Sequence, residues 1–121
     1  MSESIALKSL HLEYRIWIAE LNFDINLIRI FNDRLLELVA EKNNEAGGFD
    51  KKFDDSRSTI DELRHRMHIE KMNLAAITRD NQPDAHYKNK IQENHKSIRD
   101  DFFTFRVSFN GLKSDFLKIE K

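Results

Sequence analysis

The stretch YRIWIAELNFDINLIRIFNDRLLEL (residues 14–38) decides the fold. Its apolar side chains recur at alternating steps of three and four residues, which keeps one apolar stripe on one side of an α-helix. A repeat of this length is typical of helices that pack in a left-handed supercoil. Because the stretch contains neither glycine nor proline, nothing interrupts the helix. We therefore predict one long helix whose apolar side other helices must cover.

Helix-breaking residues divide the rest of the chain. Residues 43–48 include two adjacent glycines and predict a loop, and residues 81–84 include the only proline and predict a turn. Short connections make consecutive helices antiparallel neighbours. The predicted fold is all-α: an up-down-up antiparallel three-helix bundle with long coiled-coil-like helices, in a single domain over residues 1–121. The predicted helices span about residues 4–43, 51–80 and 84–119.

The residues of the repeat, called the seam below, form the predicted core. Aromatic rings are frequent in the seam of helix 3, and core packing is their expected role. The predicted seam consists of Leu7, Leu10, Tyr14, Trp17, Leu21, Asp24, Ile28, Phe31, Leu35 and Leu38 in helix 1; Phe53, Ser56, Ile60, Leu63, Met67, Glu70, Leu74 and Ile77 in helix 2; and Ile91, His95, Ile98, Phe102, Phe105, Phe109, Leu112, Phe116 and Ile119 in helix 3.

Charge is abundant but balanced along the chain. The 20 basic side chains stand against 21 acidic ones, for a net charge of −1. No helix has the basic excess with which nucleic-acid-binding proteins attract phosphates, so no nucleic-acid partner is predicted. Charged side chains interrupt the longest apolar-rich stretch, residues 16–31, and no membrane span is predicted. Since the start has no basic and apolar leader pattern, the expected location is the cytoplasm.

Motifs of the common enzyme classes are missing from the sequence. It has no cysteine, no phosphate-cradling glycine-rich loop, no dinucleotide fingerprint and no nucleophile elbow. Gly47 and Gly48 lack the flanking strand and the further glycines that such loops require. We therefore expect a non-enzymatic protein-interaction or structural module rather than an enzyme.

Three seam positions carry ionisable side chains: Asp24, Glu70 and His95. Two residues that face each other in antiparallel helices lie equally far from the centre of the connecting loop, so their numbers add up to twice the number at that centre. Loops centred near residues 47 and 82 therefore predict sums of about 94 between helices 1 and 2 and about 164 between helices 2 and 3. The three side chains would then share one layer. Three interpretations stay open: a hydrogen-bonded polar layer that fixes the helix register, a divalent metal (Fe, Mn or Zn) held by these side chains and water, or no shared layer, because an error of a few residues in the helix boundaries displaces it by a turn. No other cofactor is predicted.

Histidines and carboxylates also cluster in DELRHRMHIEK (residues 61–71). Glu62 and His65 have the Glu-x-x-His spacing that di-iron bundles use, but such bundles need two of these motifs and two further glutamates. The other helices offer no Glu-x-x-His. Both side chains lie beside the seam, and a solvated flank is the expected role of His65 and His68.

Three segments together resemble a family of short, all-helical bacterial proteins with no assigned activity. They are HLEYRIWIAELNF (residues 11–23), RSTIDELRH (residues 57–65) and NHKSIRDDFFTF (residues 94–105). The resemblance spans most of the chain and implies an all-helical fold. The family pattern is rich in histidine and carboxylate, which implies metal binding. Positions of that pattern are matched here by His11, Glu13, His65 and His95.

The chain departs from the family pattern at other positions. Tyr14 stands where a second histidine is expected, Gly47 and Gly48 replace a Glu-His pair, and Asn94 replaces an aspartate. His95 and Asp100 also have a spacing similar to one in hemerythrins, but the companion His-x3-His and His-x3-Glu motifs are missing. These losses weaken the case for a metal in this chain.

Helix 1 has more apolar surface than one seam can bury. On the side opposite the seam lie Ile16, Phe23, Leu27 and Ile30. Either helix 1 lies between helices 2 and 3 and is covered on both sides, or this face packs across a two-fold axis in a homodimer. We favour the homodimer, because short connections would let all three helices share one seam.

Overall fold

A computed structural model describes the backbone of residues 2–80 and 85–119, with side chains over residues 7–77 and 88–119. The all-α fold is confirmed, and no strand occurs in these ranges. No helix among them is long and apolar enough to cross a bilayer. The elements are α1 (Ser2–Ala40), a 3-10 turn (Asn44–Ala46), α2 (Phe49–Asp80) and α3 (Ala85–Ile119).

The predicted seam forms the core. Every seam residue is buried or half-buried, and the apolar ones pack as one hydrophobic cluster. The repeat predicts the core well because three helices around one axis can each bury only a narrow stripe. The core also includes Ile18, Ala46 and Phe49, which the repeat does not contain.

Four phenylalanine rings close the bundle at the end nearest the first loop. Phe31 of α1, Phe49 and Phe53 of α2, and Phe116 of α3 have neighbouring ring centroids 5.2 to 6.0 Å apart. Most of these pairs are tilted or edge-to-face, the arrangements that aromatic rings prefer. This cluster ties all three helices together at one end.

α1 ends in a Schellman motif rather than at the predicted residue 43. The amide of Asn43 donates to the carbonyl of Leu38, and the amide of Lys42 donates to that of Val39, both at 3.0 Å. Lys42 occupies the left-handed position with φ 60°, which is usually glycine. A lysine there carries no sequence signal for a helix end, so the predicted helix is too long.

The return from α1 to α2 is not symmetric. Asn22 faces Arg64 and Phe31 faces Phe53, so facing residue numbers add up to about 85 rather than about 94. α1 runs past the start of α2, and the chain folds back through the 3-10 turn, whose buried Ala46 packs on the core. Between α2 and α3 the register agrees with the expected one.

We expect Lys42→Gly to stabilise the protein by about 0.5–1 kcal/mol, because glycine adopts the left-handed conformation without steric cost. Urea unfolding followed by circular dichroism measures the change. The control is Glu41→Gly, which places glycine beside the left-handed position and should not stabilise. A Lys42→Gly protein less stable than the wild type would contradict the assigned helix end.

Candidate functional site

The three ionisable seam residues are all buried. Asp24, Glu70 and His95 expose only 7, 8 and 7 % of their surface. Burying a charged group costs free energy unless hydrogen bonds or opposite charges compensate. The partners of each side chain therefore decide whether the charged or the neutral form is favoured.

His95 lies between α1 and α3. Its Nε2 is 3.2 Å from Oε2 of Glu13, its ring stacks on Trp17 and it meets the edge of Tyr14, with centroids 5.1 and 5.0 Å away. Because a carboxylate only accepts, Nε2 carries the hydrogen of this bond and Nδ1 of the neutral ring is an acceptor. Burial lowers the pKa of His95, and the Glu13 carboxylate opposes this. Burial thus favours the neutral imidazole.

Glu70 approaches the same layer from α2. Nδ2 of Asn94, the neighbour of His95, donates to Oε1 of Glu70 at 3.1 Å. Burial raises the pKa of Glu70, and this hydrogen bond opposes the shift. Glu70 is one of the residues that line a cleft of about 260 Å³ between α2 and α3, whereas ligand sites usually measure roughly 300–1,000 Å³. The cleft is therefore small for an organic ligand.

Tyr14 completes the layer from α1. Its side chain is fully buried, and burial together with the Glu70 carboxylate raises the pKa of its hydroxyl. Tyr14 Oη, Glu70 Oε2 and His95 Nδ1 have no hydrogen-bond partner among the described residues. Each buried polar atom without a partner costs about 1–3 kcal/mol. We call Tyr14, Glu70 and His95 the polar cluster, the candidate site inside the bundle.

Asp24 does not share this layer. Since facing residue numbers of α1 and α2 add up to about 85, Glu70 lies opposite Tyr14, and Asp24 is about 15 Å farther along α1. Burial raises the pKa of Asp24 to about 6. The cations of Lys113 and Arg106 oppose this shift, and the carboxylate of Glu20 adds to it.

Arg106 fastens α3 to α1 beside Asp24. Its Nε and Nη2 donate to the two carboxylate oxygens of Glu20, each at 3.0 Å, and its guanidinium lies 4.7 Å from the ring centroid of Phe102. A bidentate pair on an aromatic face fixes orientation as well as distance. Sequence reasoning missed this contact because helices 1 and 3 are not consecutive, and no loop length sets their register.

The described residues contain no group of three histidine, aspartate or glutamate side chains that could hold a metal ion. Two of the expected ligands, Glu70 and His95, lie in one layer, and the third lies elsewhere. The residue missing from the prediction is Tyr14, which the seam placed in the core without a polar role. If the centre of the first loop had been placed about four residues earlier in the sequence, Tyr14 would have been predicted to lie opposite Glu70.

The secondary candidates occupy different positions. Glu62 and His65 are exposed on α2, as expected for a solvated flank. Glu13 is hydrogen-bonded to His95 and is half exposed, with 45 % of its side chain accessible. His11 is half-buried in a groove between α1 and α2, together with Lys8, Leu12, Arg15 and Leu74 among others.

The face of α1 opposite the seam is largely uncovered. Ile16, Phe23 and Ile30 are exposed over 56, 61 and 59 % of their surface. Leu27 differs, since it is half-buried and packs against the core. α2 and α3 therefore do not cover α1 on both sides, which excludes the internal explanation for its second apolar face. We call Leu12, Ile16, Ala19, Phe23, Leu27 and Ile30 the outer stripe.

Comparison with protein-family models, with curated proteins and with solved structures gives no match. The resemblance to short all-helical bacterial proteins stays a prediction.

We expect Asp24→Asn to stabilise the protein at pH 7 by on the order of 2–3 kcal/mol. The folded protein holds the Asp24 proton up to about pH 6, whereas the unfolded chain releases it near pH 3.8. The stability linked to this proton is therefore full below pH 3.8 and is lost as the pH rises through about 6. Free energies of unfolding in urea between pH 4 and 8 measure the difference between the proteins.

The matched control for Asp24→Asn is Asp54→Asn, which changes an exposed aspartate of α2. This variant should follow the pH dependence of the wild type. An Asp24→Asn protein that is less stable than the wild type at pH 7 would show that the ionised carboxylate is favourable where it lies.

Tyr14→Phe should raise the free energy of unfolding by about 1 kcal/mol, because it removes a buried hydroxyl that has no hydrogen-bond partner in the described part of the chain. Tyr14→Leu is the control for packing and should destabilise, since it empties part of the core. Urea unfolding measures both. Destabilisation by Tyr14→Phe beyond about 1 kcal/mol would mean that the hydroxyl forms a hydrogen bond in solution.

Proposed function

We propose that this chain is a non-enzymatic protein-interaction module that forms a homodimer through the outer stripe of α1. The observation that carries the proposal is the line of exposed Ile16, Phe23 and Ile30 on the face of α1 opposite the core. Single exposed apolar residues need no explanation, but a row of large ones along one helix commonly marks an interaction surface.

The spacing of the outer stripe supports helix-to-helix packing. Its members follow one another at steps of three and four residues, as the seam does. A stripe with this repeat presents side chains that fit between those of a facing helix. The surface is thus suited to another long helix rather than to a small molecule.

The chemistry of the polar cluster supports a structural rather than a catalytic role. Burial raises the pKa values of Tyr14 and Glu70 and lowers that of His95, so each shift favours the uncharged form. Nucleophilic catalysis by a tyrosine would call for a lowered pKa of its hydroxyl. A polar layer in a helical bundle can instead specify the register of the helices.

A metal-binding bundle is the second candidate, and one observation favours it. His95 donates its Nε2 hydrogen towards Glu13, and histidine ligands commonly donate their other ring nitrogen to a carboxylate. Its Nδ1 and Glu70 Oε2 lie in one layer and have no hydrogen-bond partner among the described residues. Elemental analysis of protein purified without chelator or affinity tag tests this candidate. Stoichiometric metal that is lost in His95→Ala would support it, and sub-stoichiometric metal would reject it.

We expect Phe23→Glu combined with Ile30→Lys to give a folded monomer, because two charges in the outer stripe would be buried without partners in the dimer. Light scattering after size exclusion measures the mass, and circular dichroism checks helicity. The control is Val107→Glu combined with Leu117→Lys, which places the same charges on exposed positions of α3. This protein should remain dimeric.

The proposal fails if the wild type is monomeric at high micromolar concentration. It also fails if the control variant dissociates as readily as the variant in the outer stripe. A loss of helicity confined to the stripe variant would mean that Phe23 and Ile30 stabilise the monomer itself.

A further inference from the structure

We infer that the two copies pack α1 against α1 in antiparallel orientation, with the two-fold axis passing beside Phe23. The inference rests on the proposed homodimer and specifies its geometry. The members of the outer stripe have a particular order along α1.

Five of the six members of the outer stripe, from Ile16 to Ile30, are arranged symmetrically about Phe23, and Leu12 lies outside this symmetric part. The steps from Ile16 to Ala19, Phe23, Leu27 and Ile30 are three, four, four and three residues, the same in both directions. Reversing the helix about Phe23 therefore exchanges Ile16 with Ile30 and the small Ala19 with the larger Leu27. An antiparallel pair thus places a small side chain opposite a large one, which fills space evenly.

Charges beside the outer stripe favour the same arrangement. Viewed down the axis of α1, Arg15 and Asp33 both lie about 80° around the helix from Phe23, in the same direction. Lys8 and Glu37 lie about 40–60° from Phe23 in that direction. All four are exposed. A two-fold axis across antiparallel helices brings these sides together, the basic end of one copy against the acidic end of the other.

The axial positions of these charges also agree. Arg15 precedes Phe23 by eight residues and Asp33 follows it by ten, so in the pair their positions differ by about 3 Å along the axis. The axial positions of Lys8 in one copy and Glu37 in the other differ by about 1.5 Å. Arg29, the nearest like charge to Arg15, lies about 120° from Phe23 and so farther from the second copy.

A parallel pair has weaker support. It would place Ala19 against Ala19, leaving a gap in the stripe. Its ion pairs would need Glu13 and Glu20, which are five residues after Lys8 and Arg15. Both carboxylates are already engaged within the subunit, Glu13 by His95 at 3.2 Å and Glu20 by Arg106 at 3.0 Å. In the antiparallel pair Glu37 is likewise engaged, by Arg34 at 2.8 Å, so the charge argument for that pair rests on Arg15 and Asp33.

Disulfide crosslinking separates the two arrangements cleanly, because the chain has no cysteine of its own. Phe23→Cys should crosslink with itself, since both copies lie at the axis within disulfide reach. Ile16→Cys alone and Ile30→Cys alone should not crosslink, whereas an equimolar mixture of the two, refolded together, should. Val107→Cys, an exposed position on α3, measures random crosslinking.

Charge reversal provides a second test. Arg15→Asp and Asp33→Arg should each raise the dimer dissociation constant about tenfold, because each pair occurs twice and becomes repulsive. Combining the two in one chain should restore the wild-type constant. Sedimentation velocity measures these constants, and Arg57→Asp on the exposed flank of α2 controls for the change in net charge.

The outcomes distinguish the geometry from the homodimer itself. Efficient self-crosslinking of Ile16→Cys, with no more in the mixture, would establish a parallel dimer and overturn the inference. A dimer in which none of the three stripe cysteines crosslinks above the Val107→Cys level would place the interface elsewhere. A monomeric wild type would overturn the proposed function as well.

Discussion

α1 carries apolar side chains on two opposite faces, and two partner helices on one side can cover only one of them. The inner face meets α2 and α3 along the seam, where Tyr14, Leu21 and Ile28 are buried almost completely. The outer face keeps Ile16, Phe23 and Ile30 in solvent. This asymmetry follows from helix geometry, because residues about 180° apart cannot face the same neighbour. The proposed association extends the packing rule that forms the bundle to the face that remains.

The core is not purely apolar, and burying its ionisable groups in their charged forms lowers the stability of the fold. Asp24, Glu70 and His95 are buried, and burial shifts the pKa of each towards the neutral form. An apolar residue at these positions would avoid that cost. Buried polar groups can nevertheless exclude wrong registers, since a slipped helix would leave them without partners. Asn94 and Glu13 supply such partners in the observed register.

Sequence reasoning predicted the seam, the fold class and the second apolar face of helix 1, because helical periodicity alone determines them. It failed where loop conformation mattered. Lys42 ends α1 from a left-handed conformation that its residue type does not announce. Because of the asymmetric return, the α1 residue opposite Glu70 is Tyr14 and not Asp24, although no residue of the seam was misassigned. Contacts between α1 and α3, such as Glu20 with Arg106, depend on both loops at once.

Sedimentation equilibrium of the wild-type protein over a wide concentration range tests the central claim, that the second apolar face of α1 is covered by another copy. The account predicts a mass that rises from that of the 14.4 kDa chain to twice that value and no further, because a two-fold interface is closed. A mass that stays at one chain throughout would contradict it, as would growth beyond two chains.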